Sequence, residues 1–168
     1  MQQIRKPDFL FAYEIANKAL DAGLKATFFF SFKPESFERD FLKLDNRHGE
    51  IVIRPTDNCE FQDIKKCCQV FFSPVTNRRC IMAPPLTWIE MLNNGIPIVT
   101  TPVTGTDGII IANKTGFSAW SSDELTNRIS KAIEGSMVMR DECIKLVSDN
   151  FNIETSANRY LKLFEGKQ

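Results

Sequence analysis

The chain has 168 residues, a length suited to one domain with a single core. Its 43% hydrophobic and 25% charged residues exclude a disordered or fibrous protein. The formal net charge of +0 excludes a global field that would draw in nucleic acid or an anionic membrane. No apolar stretch is long enough to span a bilayer, and the start, Met1 to Lys6, lacks the apolar core of a signal peptide. Cys59, Cys67, Cys68, Cys80 and Cys143 are odd in number and form no CxxC pair. They read as reduced thiols of a cytoplasmic protein, with no metal site expected.

Helical and strand patterns alternate from the start. After Pro7-Asp8, the residues Phe9, Tyr13, Ala16 and Leu20 recur at helical spacing up to Gly23. Ala26 to Phe30 reads as a strand. A second helix is expected from Pro34-Glu35, with Phe37, Phe41 and Leu44 on one face. Arg47-His48-Gly49 reads as a turn and Ile51-Val52-Ile53 as a buried strand. Thr56 or Asp57 caps a helix whose inward residues are Phe61, Ile64 and Cys68. Val70-Phe71-Phe72 is the next strand, followed by an irregular loop to about Pro85.

Thr87 to Asn94 reads as a helix stopped by Gly95, and Ile96 to Val99 as a strand with its proline near the start. A glycine-containing turn (Gly105, Gly108) leads to a short strand, Phe117 to Trp120. Ser121 to Glu124 opens helical patterns through Leu125, Ile129 and Ile133, through Ile144 and Val147, and through Tyr160, Leu161 and Phe164. Continuous apolar strands separated by helices imply one α/β domain over residues 1–168, Rossmann-like, with a parallel sheet covered by helices on both faces.

The stretch from Phe71 to Gly116 carries the most information. A strand ending in Ser73-Pro74 precedes the helix Thr87-Trp88-Ile89-Glu90-Met91-Leu92-Asn93-Asn94-Gly95. Ile96-Pro97-Ile98-Val99-Thr100-Thr101, Val103-Thr104-Gly105 and Lys114-Thr115-Gly116-Phe117 follow. This order and spacing resemble the C-terminal domain of family 4 (group 1) glycosyltransferases of the GT-B fold. The closing segment from Phe151 to Tyr160 is similar to that family's last segment, with Ile153 where tryptophan is usual.

The resemblance implies a domain that binds a UDP- or GDP-sugar as donor substrate and transfers the hexose with retention, with no metal or other cofactor. It also implies an acceptor-binding GT-B domain, in the same chain or another, facing the donor across a cleft. Ligands of open parallel sheets sit beyond the carboxyl ends of the strands, where helix N-termini present free N–H groups to phosphate oxygens.

Glu90 stands where the family's glutamate accepts the ribose hydroxyls; by itself it also reads as a solvated helix residue. Lys6, with Arg5 as the alternative, stands where a lysine meets the donor diphosphate, though a lysine so near a terminus also reads as solvated. Thr104 and Gly105 lie in the loop that approaches the donor, Gly105 serving equally as a turn glycine. Met82, eight residues before Glu90, replaces the first glutamate of the family's Glu-x7-Glu motif, which faces the transferred sugar. Pro84-Pro85 removes two backbone donors from the loop that shapes the pocket.

The family also has a strand ahead of Lys6, for which Met1 to Ile4 is too short. Either the chain is a fragment, or another segment or subunit fills that place. Phe28 to Phe30, Phe71-Phe72 and Trp88 read as core, Arg78-Arg79 as solvated loop charge, and His48 as a poor general base. The alternative is a non-catalytic GT-B module that binds a sugar nucleotide or a protein. A sugar-nucleotide epimerase lacks its expected carboxylate and histidine cluster here, and a receiver domain lacks its acidic pocket.

Overall fold

The computed structural model describes residues 6–32, 41, 43–77, 83–103 and 106–164. In chain order the elements are α1 (Lys6–Asp21), β1 (Phe28–Phe32), a 3-10 turn (Arg47–Gly49), β2 (Ile51–Pro55), α2 (Asn58–Cys67), β3 (Phe71–Ser73), α3 (Leu86–Asn93), β4 (Ile98–Thr100), β5 (Gly116–Ser118), α4 (Ser122–Asn150) and α5 (Ile153–Phe164). Among the described residues every strand pairing is parallel, as the alternation of elements predicts. The helix expected from Pro34, with Phe37, lies mostly outside the described residues, although Phe41 is buried and Leu44 packs on the core.

Local chemistry explains the element ends. Asp57 caps α2 through a reciprocal capping box with Glu60, and Ser121 caps α4 by accepting from the Glu124 amide. Gly95 follows α3 in the left-handed conformation expected of a glycine there. One expectation changes: the patterns through Ile133 and through Ile144 belong to one helix of 29 residues, α4. Leu125, Ile129, Ala132, Ser136, Met139, Cys143 and Val147 are all buried, so the inward spacing runs unbroken past Gly135. A single glycine costs only about 1 kcal/mol in a helix, too little to break one that buries such a face.

The strands form two sheets, β1-β2 and β3-β4-β5. In the first, Phe9 of α1 packs edge-on against Phe30 and Phe32, with ring centroids 5.2 and 5.0 Å away, and Phe41 closes the cluster. In the second, β4 is entirely buried and β5 lies so close that a methyl at Gly116 would meet the Ile98 carbonyl oxygen at 1.9 Å. Helix α4 packs against α1, α3, β4 and β5. Burial pushes the Cys143 thiol on α4 up to about 12, so it stays protonated. Helix α5 differs: Ile153, Tyr160, Leu161 and Phe164 leave most of their surface in solvent.

Candidate functional site

Three segments converge at the C-terminal end of β3. The loop Ser73-Pro74-Val75 is tied to the end of β4 by two threonines. Thr100 Oγ1 donates to the Ser73 carbonyl (2.7 Å), and Thr101 Oγ1 accepts from the Val75 amide (2.9 Å) while donating to its carbonyl (2.7 Å). Trp88 Nε1 donates to Ser73 Oγ at 3.3 Å, which fixes the start of α3 to the same loop. Trp88 is 1% exposed and so is a packing residue, as its helical position predicts. Asp8 in the first turn of α1 accepts from both the amide and the hydroxyl of Thr76, at 2.7 and 2.6 Å. A cavity of about 1070 Å³ opens at this end, lined there by Asp8, Ser73, Val75, Thr87 and Trp88.

Glu90 stands in the second turn of α3, half-buried. Its Oε1 pairs with Lys65 Nζ and accepts from Gln62 Nε2 at 3.3 Å, so the described contacts engage one carboxylate oxygen. The hydrogen bond from Lys65 holds the Glu90 carboxyl below its ordinary range, against the opposing effect of burial. The Lys65 side chain is 5% exposed, and its ammonium sits 5.5 Å from the centroid of the Phe61 ring. An ammonium so deeply placed needs such a partner.

Sequence reasoning passed over Lys65, although a signal was present. Lys65 falls four residues after Phe61, inside the stripe Phe61, Ile64, Cys68 that faces inward. A lysine within an apolar stripe marks a buried charge in search of an acid.

The other expected site residues are less completely placed. Lys6 is the first residue of α1, two positions from Asp8, and its side chain lies outside the described atoms. Arg5, Met82, Thr104 and Gly105 lie outside the described residues, as do Arg78, Arg79 and Cys80. Pro84 is half-buried just ahead of α3, whose N-cap position is Pro85 with no side-chain cap bond. Among the described residues no side chain caps the first turn of α3, whose Thr87 and Trp88 line the cavity. At α1 the positive end of the helix is already met by the Asp8 carboxylate, and a diphosphate there faces that like charge. No cluster of three or more metal-ligating side chains exists among the described residues.

No family model and no curated protein matches this sequence. Solved structures do match in fold. The chain is similar to TarM with a TM-score of 0.73 at 15% identity, covering 98% of this chain and 33% of TarM. It is similar to the GtfA/B complex with a TM-score of 0.65 at 15% identity, covering 99% of this chain and 34% of that one. The apo form of the lipopolysaccharide outer core galactosyltransferase WaaB gives 0.59 at 12% identity, with 89% of this chain and 45% of WaaB covered. The chain thus spans about a third of the length of the first two, and its fold is a Rossmann-like half of the GT-B type, as found in glycosyltransferases.

Proposed function

We propose that this chain is the donor-binding, C-terminal half of a retaining, family 4-like glycosyltransferase, taking a UDP- or GDP-linked hexose without a metal. The observation that carries this reading is the fold match with TarM, over 98% of this chain but only a third of the matched one. Chemistry on α3 and after β3 supports it. Glu90 offers an anchored, ionised carboxylate on the helix that follows β3, the right group to accept a pair of ribose hydroxyls. The start of α3, with no side-chain cap among the described residues, suits phosphate oxygens, and the Ser73 to Val75 loop is tied by hydrogen bonds to the end of β4. Lys6 or Arg5 would neutralise the diphosphate beside Asp8, and Thr104, Gly105, Met82 and Pro84 would line the sugar and phosphate side.

Transfer also needs an acceptor half in the same chain or another. A complex among the matched structures and the uncovered apolar residues of α5 support such a partner. The reaction belongs in the cytoplasm, where nucleotide sugars are made.

Titration calorimetry with UDP, GDP and ADP tests the donor site. One nucleotide should bind selectively, and Glu90→Ala should cost more than tenfold in affinity, about 1.5–3 kcal/mol for hydrogen bonds to a charged group. No binding by folded, monodisperse protein rejects a self-sufficient donor domain. A second reading, a GT-B module that binds without turnover, is favoured by the hold that Lys65 and Gln62 already have on Glu90. Nucleotide binding with no sugar transfer, after an acceptor half is supplied, would establish it.

A further inference from the structure

The two oxygens of the Glu90 carboxylate are not equally available. Oε1 accepts from two donors, Lys65 Nζ and, at 3.3 Å, Gln62 Nε2. A carboxylate oxygen has two lone-pair directions, so two donors complete it. Among the described residues no donor is bonded to Oε2. The partners also differ in depth, the Lys65 side chain being 5% exposed and that of Glu90 41%. The charge that holds Oε1 is buried, while the carboxylate it holds is open to a ligand.

That hold resists displacement. The Lys65 ammonium lies 5.5 Å from the centroid of the Phe61 ring, and Phe61, Ile64 and Lys65 of α2 all line the apolar cavity. A ligand hydroxyl that took over Oε1 would leave the ammonium there without its carboxylate. Stranding one member of a buried ion pair costs more than a single hydroxyl's hydrogen bond returns. Oε2 therefore receives the ligand, and it is a strong acceptor because it belongs to an ionised group. It cannot serve two neighbouring hydroxyls well. Vicinal hydroxyls lie too close together to point down both lone pairs of one oxygen, which diverge.

We infer that Lys65, with Gln62, is a positioning residue that reserves Oε1, so that Glu90 reads one ribose hydroxyl of a bound nucleotide through Oε2 alone. The inference rests on the reading of Glu90 as the ribose acceptor and goes beyond it. A carboxylate with nothing attached meets a pair of hydroxyls with its two oxygens, whereas this one arrives half committed. Lys65 thereby sets which part of the ribose the site inspects, without touching the ligand through its own buried charge.

Calorimetry with deoxynucleotides tests it. UDP, GDP and ADP are each compared with their 2′-deoxy and 3′-deoxy forms. For the nucleotide that binds, one deoxy form should lose at least tenfold in affinity, and the other should stay within about threefold. In Glu90→Ala all three forms should bind alike, which ties the asymmetry to this carboxylate. A double variant, Lys65→Met with Gln62→Ala, frees Oε1 while keeping an unbranched apolar side chain at the buried position. There both deoxy forms should lose affinity, each by at least tenfold relative to the ribonucleotide, with a melting curve to check that the variant is folded. The wild-type and Glu90→Ala measurements need no change in the core and decide the matter even if the double variant does not fold.

Equal losses for the two deoxy forms in the wild type overturn the inference, as does an asymmetry that survives Glu90→Ala or persists unchanged in the folded double variant. No loss for either form also overturns it, while leaving nucleotide binding in place. Failure of every nucleotide to bind is a different result, because it removes the donor reading itself and this inference with it.

Discussion

Strands β3 and β4 are hydrogen-bonded neighbours of equal length, yet Ile98, Val99 and Thr100 are all 0% exposed while Phe71, Phe72 and Ser73 are each only half-buried. Hydrophobicity does not explain the difference, since two phenylalanines are at least as apolar as the β4 residues. Position does. β4 has β3 and β5 as flanking strands and α3 and α4 against it, whereas β3 has a strand on one side and the cavity on the other. The same holds across the gap, where Phe29 and Ser31 are half-buried with the Arg54 guanidinium 5.3 Å over the Phe29 ring. One region is a finished three-stranded layer; the other is a pair of strand edges with a cavity between them.

Three substitutions sharpen that contrast. Gly116→Ala strikes the finished region hardest, because its methyl would collide with the Ile98 carbonyl and its φ of 152° disfavours any side chain. A loss of about 3 kcal/mol or more is expected, read by chemical denaturation, with insoluble expression as the extreme result. Wild-type stability in this variant would show that β4 and β5 are free to move apart.

Thr101→Val comes next. It keeps shape but leaves the buried amide and carbonyl of Val75 without their partner, costing about 2 kcal/mol and loosening the loop at the end of β3. Nucleotide affinity should fall with it if that loop bounds the donor pocket.

The smallest effect belongs to the pair that bridges α2 and α3 beside the cavity. The Glu90 carboxyl is held below its ordinary range by Lys65, so its contribution is present above the unfolded-state value near pH 4.3 and disappears as the pH falls through the lower folded-state value. Glu90→Gln removes the charge but keeps an oxygen that can accept from the buried Lys65 ammonium, so it should cost only about 1 kcal/mol at neutral pH and progressively less below about pH 4. A stability difference that stays flat down to pH 3 would mean that the pair does not titrate as a unit.

Much of the fold was legible in the residues. Asp57, Ser121 and Gly95 mark helix ends by local chemistry, and they do so in the structure too. The apolar runs at Phe28, Ile51, Phe71 and Ile98 all became parallel strands, since an unbroken apolar run suits a strand covered on both faces. The length of α4 was less legible, because Gly135 invites a break that only the shared packing of Ile129, Ala132, Met139 and Cys143 overrides. Among the candidate site residues, Glu90 could be singled out from its setting in the chain. Its bond to Lys65 could not, because the two residues are 25 positions apart.

The sequence by itself determined the class of fold, the order of the elements and their caps, because these rest on periodicity and on hydrogen bonds a few residues apart. Only the tertiary structure decided that β1 and β3 stand apart around a cavity, that Glu90 is already anchored, and that α5 keeps its apolar residues in solvent. Each of these depends on what lies beside an element, and lateral neighbours in a parallel sheet are chosen by crossovers spanning tens of residues, which local pattern does not record.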